Sequence, residues 1–378
     1  MSRAAALLLT VLLGASAACA RPPFAVEEIA RFDQPWSMAF LPDGRFLVTE
    51  KTGNLLVATR DGEKSRPVGG VPDVDYGGQG GLGDVVLHPD YADNGIIYLS
   101  YAEAGVGGTR GAAVARAVLD ADGRRPALRD VEVIWRQYPK VIGRGHYGHR
   151  LLFDGDGYLW ISSGDRQKFT PAQDMQANLG KLLRLHDDGS VPGDNPFVDY
   201  FSREPLVDDI GVYPQVWALG LRNPLGIALD AGGRLWEIEM GPRGGDELNL
   251  IERGANYGYP VVSNGEHYDG RPMPDHDTHP EFVSPKEWWT PVISPGDLMI
   301  YGGDLFADWQ GNALAAGLSS QAIVRIALHA DGSAEELERY AMGARIRSLE
   351  EGPEGAIWVL EDERGSSRGR LLRLTPRG

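Results

Sequence analysis

Residues 145–166 read GHYGHRLLFDGDGYLWISSGDR and contain the pattern that the rest of the chain repeats. An apolar run, an Asp-Gly turn and a second apolar run are typical of a β-hairpin. Because a hairpin brings the chain back to its starting edge, His146 and Asp165 at its two ends can meet at one rim of a sheet. A histidine with a nearby carboxylate is the usual minimum for a general base. A buried histidine satisfied by an aspartate that only closes the sheet would give the same pattern.

The same hairpin unit recurs along the chain. It appears as MAFLPDGRFLVTE at 38–50, VVLHPDYADNGIIYLSY at 85–101, IALDAGGRLWEIE at 227–239 and LEEGPEGAIWVLE at 349–361. A sixth unit is expected between residues 297 and 340. Irregular recurrence of one hairpin favours propeller blades with insertions, so we predict an all-β, six-bladed propeller of four-stranded antiparallel blades. We expect a strand near 24–32 and the run 368–376 to close the ring in one blade, whereas a β-sandwich, the alternative, explains the Asp-Gly hairpins less well.

Composition bounds the class of protein and its partners. The chain has 378 residues, of which 42% are hydrophobic and 24% are charged, and this suits a globular protein with a sizeable core. Its 50 glycines and 25 prolines indicate many turns. The formal net charge of -16 argues against nucleic acid and anionic lipid as partners, and it is compatible with calcium and with neutral sugars. Beyond the N-terminal region, no run is long and apolar enough to be a transmembrane helix.

The N-terminal run MSRAAALLLTVLLGASAACA has the layout of a secretory signal, with Arg3 before a short apolar stretch and a small-x-small cleavage motif around Cys19. We therefore predict a signal peptide at 1–20, a single propeller domain at 21–378 and a periplasmic location. Cleavage there would remove Cys19, the one cysteine of the chain, and leave no disulfide. The alternative is a lipoprotein anchored through Cys19, for which Ser16 is a poor match to the lipidation signal.

Two stretches carry side chains suited to binding a polar ligand. In YGGQGGLGDVVLHPDY at 76–91, the glycines around Gln79 let the backbone approach a ligand closely, and Gln79 offers an amide donor and acceptor. A glycine-rich turn that begins a blade is the plainer explanation. In VWALGLRNP at 216–224, Arg222 and Asn223 give two adjacent planar donors, which suit carboxylate or quinone oxygens.

A pair of arginines near the C-terminus gives a third pattern. Arg345 and Arg347 lie two residues apart on a predicted strand, so both side chains face the same side. If that side is the central channel, two guanidinium groups meet an anionic ligand there. A solvated strand face would give the same spacing.

Two stretches invite a metal-binding interpretation. In EMGPRGGDELNLIERGANYGYP, Asp246, Glu247 and the carbonyls around Gly241 and Pro242 are hard oxygen ligands of the kind that calcium prefers, without the EF-hand spacing. The HDTH run at 276–279 fits no standard zinc pattern, and we favour a solvated acidic turn there.

Taken together, these stretches resemble the soluble quinoprotein sugar dehydrogenases of the glucose/sorbosone dehydrogenase family, and within it the bacterial periplasmic aldose sugar dehydrogenases. The most specific pieces are GQGGLGDVVLHPDY, HYGHR…GDR, LGLRNPLGIALD, MGPRGGDELNLIERGANYGYP and RIR, in matching order over nearly all of the mature chain. The resemblance implies a six-bladed propeller that holds pyrroloquinoline quinone (PQQ) and Ca²⁺ at the top of its channel.

The resemblance also assigns residue roles. His146 matches the catalytic base, Asp165 its carboxylate partner, and Arg222 a second catalytic group. The residues that match the quinone-lining positions are Gln79, Arg222, Asn223, Tyr268, Ser319, Arg345 and Arg347. The residues that match calcium-binding positions are Gly241, Pro242, Glu247 and Tyr257. This chain departs from the family pattern at Ser319, which stands where a lysine is common, and at His149, which stands where many relatives have a small residue.

The implied reaction is oxidation of an aldose at its anomeric carbon to a lactone. His146 would take the hydroxyl proton while hydride passes to the quinone, with Ca²⁺ as a Lewis acid and Arg222 supporting the developing oxyanion. The electron acceptor that follows is not indicated by the sequence. Two alternatives are a calcium-dependent propeller lactonase, which needs no quinone, and a non-catalytic propeller that binds a glycan or a protein. The set of amide and guanidinium groups favours the dehydrogenase.

Overall fold

The computed structural model describes residues 22–122, 125–200 and 211–377. Within these ranges the chain is mostly strands and turns, and the strands form six antiparallel sheets around a central channel. The all-β, six-bladed propeller predicted from the repeated hairpins is therefore confirmed. The predicted signal peptide at 1–20, including Cys19, lies outside the described residues.

The strands have the following bounds. They are β1 (Phe24–Arg31), β2 (Pro35–Phe40), β3 (Phe46–Glu50), β4 (Asn54–Ala58), β5 (Leu82–Leu87), β6 (Ile96–Ala104), β7 (Arg110–Asp120), β8 (Ala127–Arg136), β9 (Gly148–Phe153), β10 (Leu159–Ser163), β11 (Lys181–Leu185), β12 (Val216–Leu219), β13 (Pro224–Leu229), β14 (Leu235–Glu239), β15 (Asp246–Leu250), β16 (Glu287–Trp289), β17 (Pro295–Ile300), β18 (Ala313–Gly317), β19 (Ala322–Leu328), β20 (Ala334–Ala341), β21 (Ile346–Glu351), β22 (Ile357–Glu361) and β23 (Arg370–Pro376). Helical segments are one-turn pieces: α1 (Tyr91–Asn94) and 3₁₀ turns at Val106–Gly108, Thr170–Gln173, Tyr213–Gln215, His276–Thr278 and Ala307–Trp309.

Five of the described sheets have the predicted four strands. They are β5–β8, β9–β12, β13–β16, β17–β20 and the sheet of β21, β22, β23 and β1. The sixth sheet, β2–β4, has three strands. Irregular backbone covers its outer edge, where the N–H groups of Ser65 and Val68 donate to the carbonyls of Val57 and Leu55, each at 2.8 Å. In this blade, a loop therefore takes the place of the fourth strand and makes hydrogen bonds with the carbonyl groups along the outer edge of β4.

The ring closes through the two ends of the described chain. Strand β1 pairs antiparallel with β23, from Phe24 opposite Pro376 to Arg31 opposite Arg370. The predicted shared blade is therefore confirmed. The first strands of the blades, β2, β5, β9, β13, β17 and β21, contact one another in order around the channel, and β21 contacts β2. Most of the functional side chains discussed below lie on these inner strands or in the loops that extend from the blades, and the acidic cluster around Glu247 lies on β14 and β15.

Two of the hairpins share a turn built on an aspartate. Asp154 accepts hydrogen bonds from the N–H of Tyr158 at 2.9 Å and from Nε1 of Trp160 at 2.8 Å. Asp230 repeats the turn and accepts from Nε1 of Trp236 at 3.0 Å. The residue pattern thus sets both the turn and the tryptophan that packs against it.

The apolar core is divided among the gaps between blades. Six clusters of buried aliphatic and aromatic side chains each join two neighbouring blades, including β21 and β22 with β2 and β3. Among the described residues, Trp236 and Trp358 are the largest fully buried side chains, each 0% exposed. Because every blade depends on both neighbours for burial, the ring and the apolar layers stabilise each other. No helix in the described ranges could cross a membrane, because none is long and apolar enough.

Candidate active site

The hairpin of β9 and β10 brings His146 and Asp165 together at one rim of the channel. Nδ1 of His146 lies 2.6 Å from Oδ1 of Asp165, and both side chains are buried. The carboxylate also accepts the N–H groups of Gln167 at 3.0 Å and Phe169 at 3.1 Å. Since Asp165 engages Nδ1, Nε2 is the nitrogen left to exchange a proton.

The electrostatics keep this histidine neutral. Burial lowers the pKa of His146 below its usual range, Asp165 opposes this shift, and the charge of Arg222 adds to it. A neutral imidazole at neutral pH is ready to accept a proton, and the buried carboxylate stabilises the charged ring that results.

Backbone contacts fix the position of His146. Its N–H donates to Oε1 of Gln79 at 2.7 Å, and the N–H of Gln79 donates to the Arg144 carbonyl at 2.8 Å. A Cβ at Gly164 would lie 2.3 Å from the carbonyl oxygen of His146, so this close approach of the two ends of the hairpin requires a glycine. Gln79, which sequence reasoning assigned to the ligand, therefore also holds the backbone of the candidate base.

Arg222 and Asn223 lie next to this pair, where β13 begins. The N–H groups of both residues donate to Oε2 of Glu239. Nη1 of Arg222 donates to the carbonyls of Met240 at 2.8 Å and Gly241 at 2.6 Å. Tyr268 is 71% exposed at the surface above, and its hydroxyl accepts from Nη2 of Arg222 at 3.1 Å. Arg222 thus links the candidate catalytic pair to the candidate calcium loop, because its carbonyl accepts the N–H of Asp165 at 2.8 Å while its guanidinium contacts the Gly241 carbonyl.

A cleft of about 640 Å³ opens beside these residues. The cations that line it in the described chain are Lys51, Arg144, Arg345, Arg347 and Arg364, and the carboxylates are Asp362 and Glu363. Asp362 is already paired, since its Oδ2 lies 3.0 Å from Nε of Arg345 and 3.4 Å from Nη2 of Arg347. The cleft therefore has an excess of positive charge although the whole chain carries -16, and it attracts anionic ligands.

Several buried polar atoms around the cleft have no hydrogen-bond partner among the described residues. They are the Tyr147 hydroxyl, both ring nitrogens of His149, Nε of Arg222, Nδ2 of Asn223 and Nε of Arg347. Buried donors of this kind are costly unless a ligand or water satisfies them. A planar ligand with several acceptor oxygens fits this donor set.

His149 differs from His146 in its surroundings. Its ring stacks on Tyr147 at 5.2 Å and meets Trp36 edge-on at 5.8 Å, and no described carboxylate hydrogen-bonds to it. Burial lowers the pKa of His149 to about 3, so the ring stays neutral at any physiological pH. It is an aromatic wall of the cleft rather than a second base.

Ser319 lies beside the cleft and does not line it. Its hydroxyl is 2.8 Å from that of Ser294 and 3.2 Å from the Val292 carbonyl. Ser294 and Leu318 form the wall at this point. The short serine therefore supplies no positive charge to this side of the cleft.

The predicted calcium ligands fall into two groups. Gly241 and Pro242 line a second cavity, of about 840 Å³, next to the cleft. Oδ1 of Asp246 accepts the N–H of Gly241 at 2.8 Å and so shapes this loop. Burial raises the pKa of Asp246 to about 6.

Glu247 and Tyr257 lie deeper, and His276, which was expected in a solvated turn, lies between them. His276 is only 3% exposed, with Nδ1 at 3.9 Å from Oε1 of Glu247 and Nε2 at 3.0 Å from the Tyr257 carbonyl. The solvated turn predicted for this histidine is therefore wrong, although His279 does lie near the surface beside Glu281. The Tyr257 hydroxyl donates to the Leu250 carbonyl at 2.7 Å, so the carbonyl of Tyr257 is its candidate ligand atom.

The surroundings of Glu247 are rich in buried oxygen atoms. Burial raises the pKa of Glu247 and Glu237 well above the usual range and that of Glu239 to about 8. Oε1 of Glu237 and Oδ1 of Asn249 have no partner among the described residues. In the described chain, no three His, Cys, Asp or Glu side chains are arranged to hold a metal by themselves. Carboxylate, amide and carbonyl oxygens in combination remain a donor set that fits a hard cation.

Comparison with known proteins gives consistent matches. The family model described as Glucose / Sorbosone dehydrogenase matches residues 32–373. The chain is 36% identical over 386 residues to the aldose sugar dehydrogenase YliI of Escherichia coli (strain K12), and the match covers 100% of both chains. The crystal structure of the soluble aldose sugar dehydrogenase of Escherichia coli in the apo-form superposes with a TM-score of 0.84, at 36% identity, over 94% of this chain and 100% of that one. The PQQ-bound aldose sugar dehydrogenase of Streptomyces coelicolor superposes with a TM-score of 0.73, at 27% identity, over 95% of this chain and 100% of that one.

Proposed function

Because the chain belongs to the glucose/sorbosone dehydrogenase family, we propose that it is a PQQ- and calcium-dependent enzyme that oxidises aldose sugars at the anomeric carbon to lactones. The observation that carries this proposal is the buried His146–Asp165 pair, 2.6 Å apart, whose chain neighbours Gly145, Tyr147 and Gln167 line a net-positive cleft. A base next to an anion-binding pocket is what a hydroxyl oxidation with an anionic quinone requires.

The proposed quinone contacts come from several blades. Gln79, Arg345 and Arg347 line the cleft, while Arg222 and Asn223 hold unpartnered donors beside it. PQQ is a planar tricarboxylate, so guanidinium groups match its carboxylates and amide groups match its carbonyls. Tyr268 would cover the cofactor from the surface side, and Ser319 would leave one edge without a cation.

The proposed metal ligands are the carbonyls of Gly241 and Pro242 for the ion next to the cofactor, and Glu247 with the Tyr257 carbonyl for a second ion. When bound, the quinone is the two-electron acceptor, and the cation beside it draws electron density from the quinone carbonyl. Calcium suits this donor set because the proposed ligand atoms are carbonyl and carboxylate oxygens.

The residues of the chain supply the acid–base chemistry and the orientation. Nε2 of His146 would accept the proton of the anomeric hydroxyl, while Asp165 holds the ring by Nδ1 and stabilises the imidazolium. Arg222 would stabilise negative charge that develops near the cofactor carbonyl. Transfer of the hydroxyl proton to His146 and of the anomeric hydrogen, with its two electrons, as hydride to the bound quinone would convert the anomeric carbon into the lactone carbonyl.

Reconstitution tests this proposal directly. The purified protein is stripped of metal and cofactor, then mixed with PQQ and Ca²⁺, and dye reduction is followed across a panel of aldoses. Omission of PQQ and replacement of Ca²⁺ by chelator are the matched controls. We expect dye reduction only in the complete mixture, with lactone as the product. Lactone hydrolysis in the mixture without PQQ, together with no dye reduction in the complete one, would favour the propeller lactonase.

A further inference from the structure

Arg150 occupies the centre of the channel, directly below the cleft. It lies on β9, next to His149, and is 5% exposed. Its Nε donates to the carbonyl of Leu225 on β13 at 2.7 Å, and its Nη2 donates to the carbonyl of Gly296 on β17 at 2.6 Å. The guanidinium carbon lies 4.2 Å from the ring centroid of Trp36 on β2.

The same guanidinium joins two carboxylates of the channel. Nη1 lies 3.4 Å from Oδ1 of Asp84 on β5, and Nη2 lies 3.3 Å from Oδ1 of Asp297 on β17. Nη2 also lies 3.4 Å from the carbonyl oxygen of Arg347 on β21. One side chain therefore contacts all five of the other inner strands.

Serine hydroxyls extend these contacts into a belt around the channel. Ser37 on β2 donates to Asp84, and Ser348 on β21 donates to Asp297 at 2.7 Å. The carboxylates also accept backbone N–H groups of Leu151 and Leu349. Every inner strand thus contributes to one hydrogen-bonded layer. Arg150 supplies the positive charge in this layer.

This layer separates two spaces. Trp36, Leu225 and Arg347, which Arg150 contacts, line the upper cleft of about 640 Å³. Arg150 itself lines a lower channel cavity of about 550 Å³, together with Asp84 and Asp297. The belt is therefore the floor of the candidate cofactor site and the roof of the lower channel.

Only an arginine can make this set of contacts. Its fork of five N–H donors reaches two carboxylates and several carbonyls at once, while its flat face stacks on an indole. A lysine has the same charge but a single point of donation, so it would leave several of these acceptors unsatisfied.

We propose that Arg150 is a positioning residue, which fixes the floor of the cofactor cleft by holding Trp36, Leu225 and Arg347 from below. This inference rests on the proposed function, since it assigns Arg150 to the cleft in which PQQ would bind. Without the guanidinium of Arg150, the backbone carbonyl of Arg347 and the ring of Trp36 lose the one group that contacts both of them. Cofactor affinity should then fall more than the stability loss alone explains.

The test is PQQ binding to the metal-loaded apo-protein, measured by quenching of tryptophan fluorescence well below each melting temperature. Arg150→Lys should bind PQQ about 10- to 100-fold more weakly, by analogy with the loss seen when residues that orient metal ligands are removed. Arg184→Lys is the matched control, because Arg184 is also buried, stacks on Tyr158 at 4.2 Å and Trp217 at 4.5 Å, and lies on β11 outside the cleft lining. It should lower the melting temperature and leave PQQ affinity unchanged.

The outcomes separate the possibilities. Wild-type PQQ affinity in folded Arg150→Lys would overturn the inference, even if that variant melts earlier. Equal losses of affinity in Arg150→Lys and Arg184→Lys would also overturn it, because they would reflect general destabilisation. If Arg150→Lys does not fold, Ser348→Ala tests the same belt, and it should weaken PQQ binding a few-fold through Asp297. A wild-type protein that binds no PQQ would refute the proposed function itself, and this inference with it.

Discussion

Replacing His146 with alanine is expected to stop sugar oxidation while leaving the cofactor site in place. A sugar hydroxyl is too weak an acid to ionise unaided at neutral pH, so the reaction needs a base within reach of it. The contact between Gln79 and the backbone N–H of residue 146 does not depend on the side chain. Asp165 keeps its two N–H donors from Gln167 and Phe169, so its buried carboxylate remains partly satisfied.

The magnitude follows from the surroundings of the two histidines. Loss of a general base lowers the rate about 10²- to 10⁴-fold, which corresponds to about 3 to 5 kcal/mol of activation free energy. His149 cannot replace the base, because its pKa is lowered to about 3 by burial and both its ring nitrogens are buried without a partner among the described residues. His149→Ala is therefore expected to be much milder in rate, although it removes an aromatic wall of the cleft.

The assay is stopped-flow reduction of the reconstituted quinone by an aldose, with both variants loaded with PQQ and Ca²⁺. PQQ affinity is measured separately for each variant, so that a binding defect is not mistaken for a chemical one. We expect slow reduction at near-normal affinity for His146→Ala and fast reduction for His149→Ala. Fast reduction in His146→Ala with stalled reduction in His149→Ala would refute the assignment of the base.

Three further predictions concern the pH dependence of stability, the metal and the N-terminus. Because burial lowers the pKa of His149 from 6.5 to about 3, the folded state binds its proton less readily than the unfolded state, and stability is lost as pH falls below 6.5. The loss approaches about 1.4 kcal/mol per pH unit, so melting temperatures measured from pH 7 to 4 should fall less steeply in His149→Ala than in the wild type, and parallel curves would contradict the assigned burial effect. Chelation should abolish dye reduction, and Ca²⁺ should restore it better than Zn²⁺. Glu247→Gln should need a higher Ca²⁺ concentration than the wild type for the same activity. Full activity of the metal-free protein would rule the metal out. Mass spectrometry of the exported protein should find Arg21 as the first residue, whereas a diacylglyceryl group on Cys19 would show the lipoprotein instead.

The sequence predicts the blades well because their signal is local. A turn such as that of Asp154 needs only the residues within it, including Trp160 six positions later. The paired ends of the hairpin, His146 and Asp165, also follow from local geometry, since an antiparallel hairpin must return to its starting edge. The pairing of β1 with β23 joins residues far apart in the chain, but both strands can be recognised from the sequence near the two ends of the predicted propeller domain.

Features that depend on contacts between distant blades could not be predicted. Arg150 follows His149 in the sequence and has no local mark of a channel residue, since its partners are Asp84 and Asp297 far along the chain. His276 was expected in a solvated turn because acidic residues flank it, yet it inserts between Glu247 and the Tyr257 carbonyl. The burial of Arg150 is decided by blades that meet only after the ring has formed, and that of His276 by the long connection between β15 and β16 within a single blade.

His146 and the loop that carries Asp165 hold a strained backbone conformation. Positive φ values occur at His146 (49°), Arg166 (58°), Gln167 (58°) and Phe169 (64°), a conformation that side-chain-bearing residues rarely adopt. Two of these residues donate their N–H groups to the Asp165 carboxylate. Arg166, 1% exposed, holds the neighbouring segment by donating to the carbonyls of Gly145 at 2.8 Å and Gly143 at 2.6 Å. Because strain of this kind persists only where surrounding contacts enforce it, we infer that these hydrogen bonds hold His146 and the Asp165 loop in their geometry.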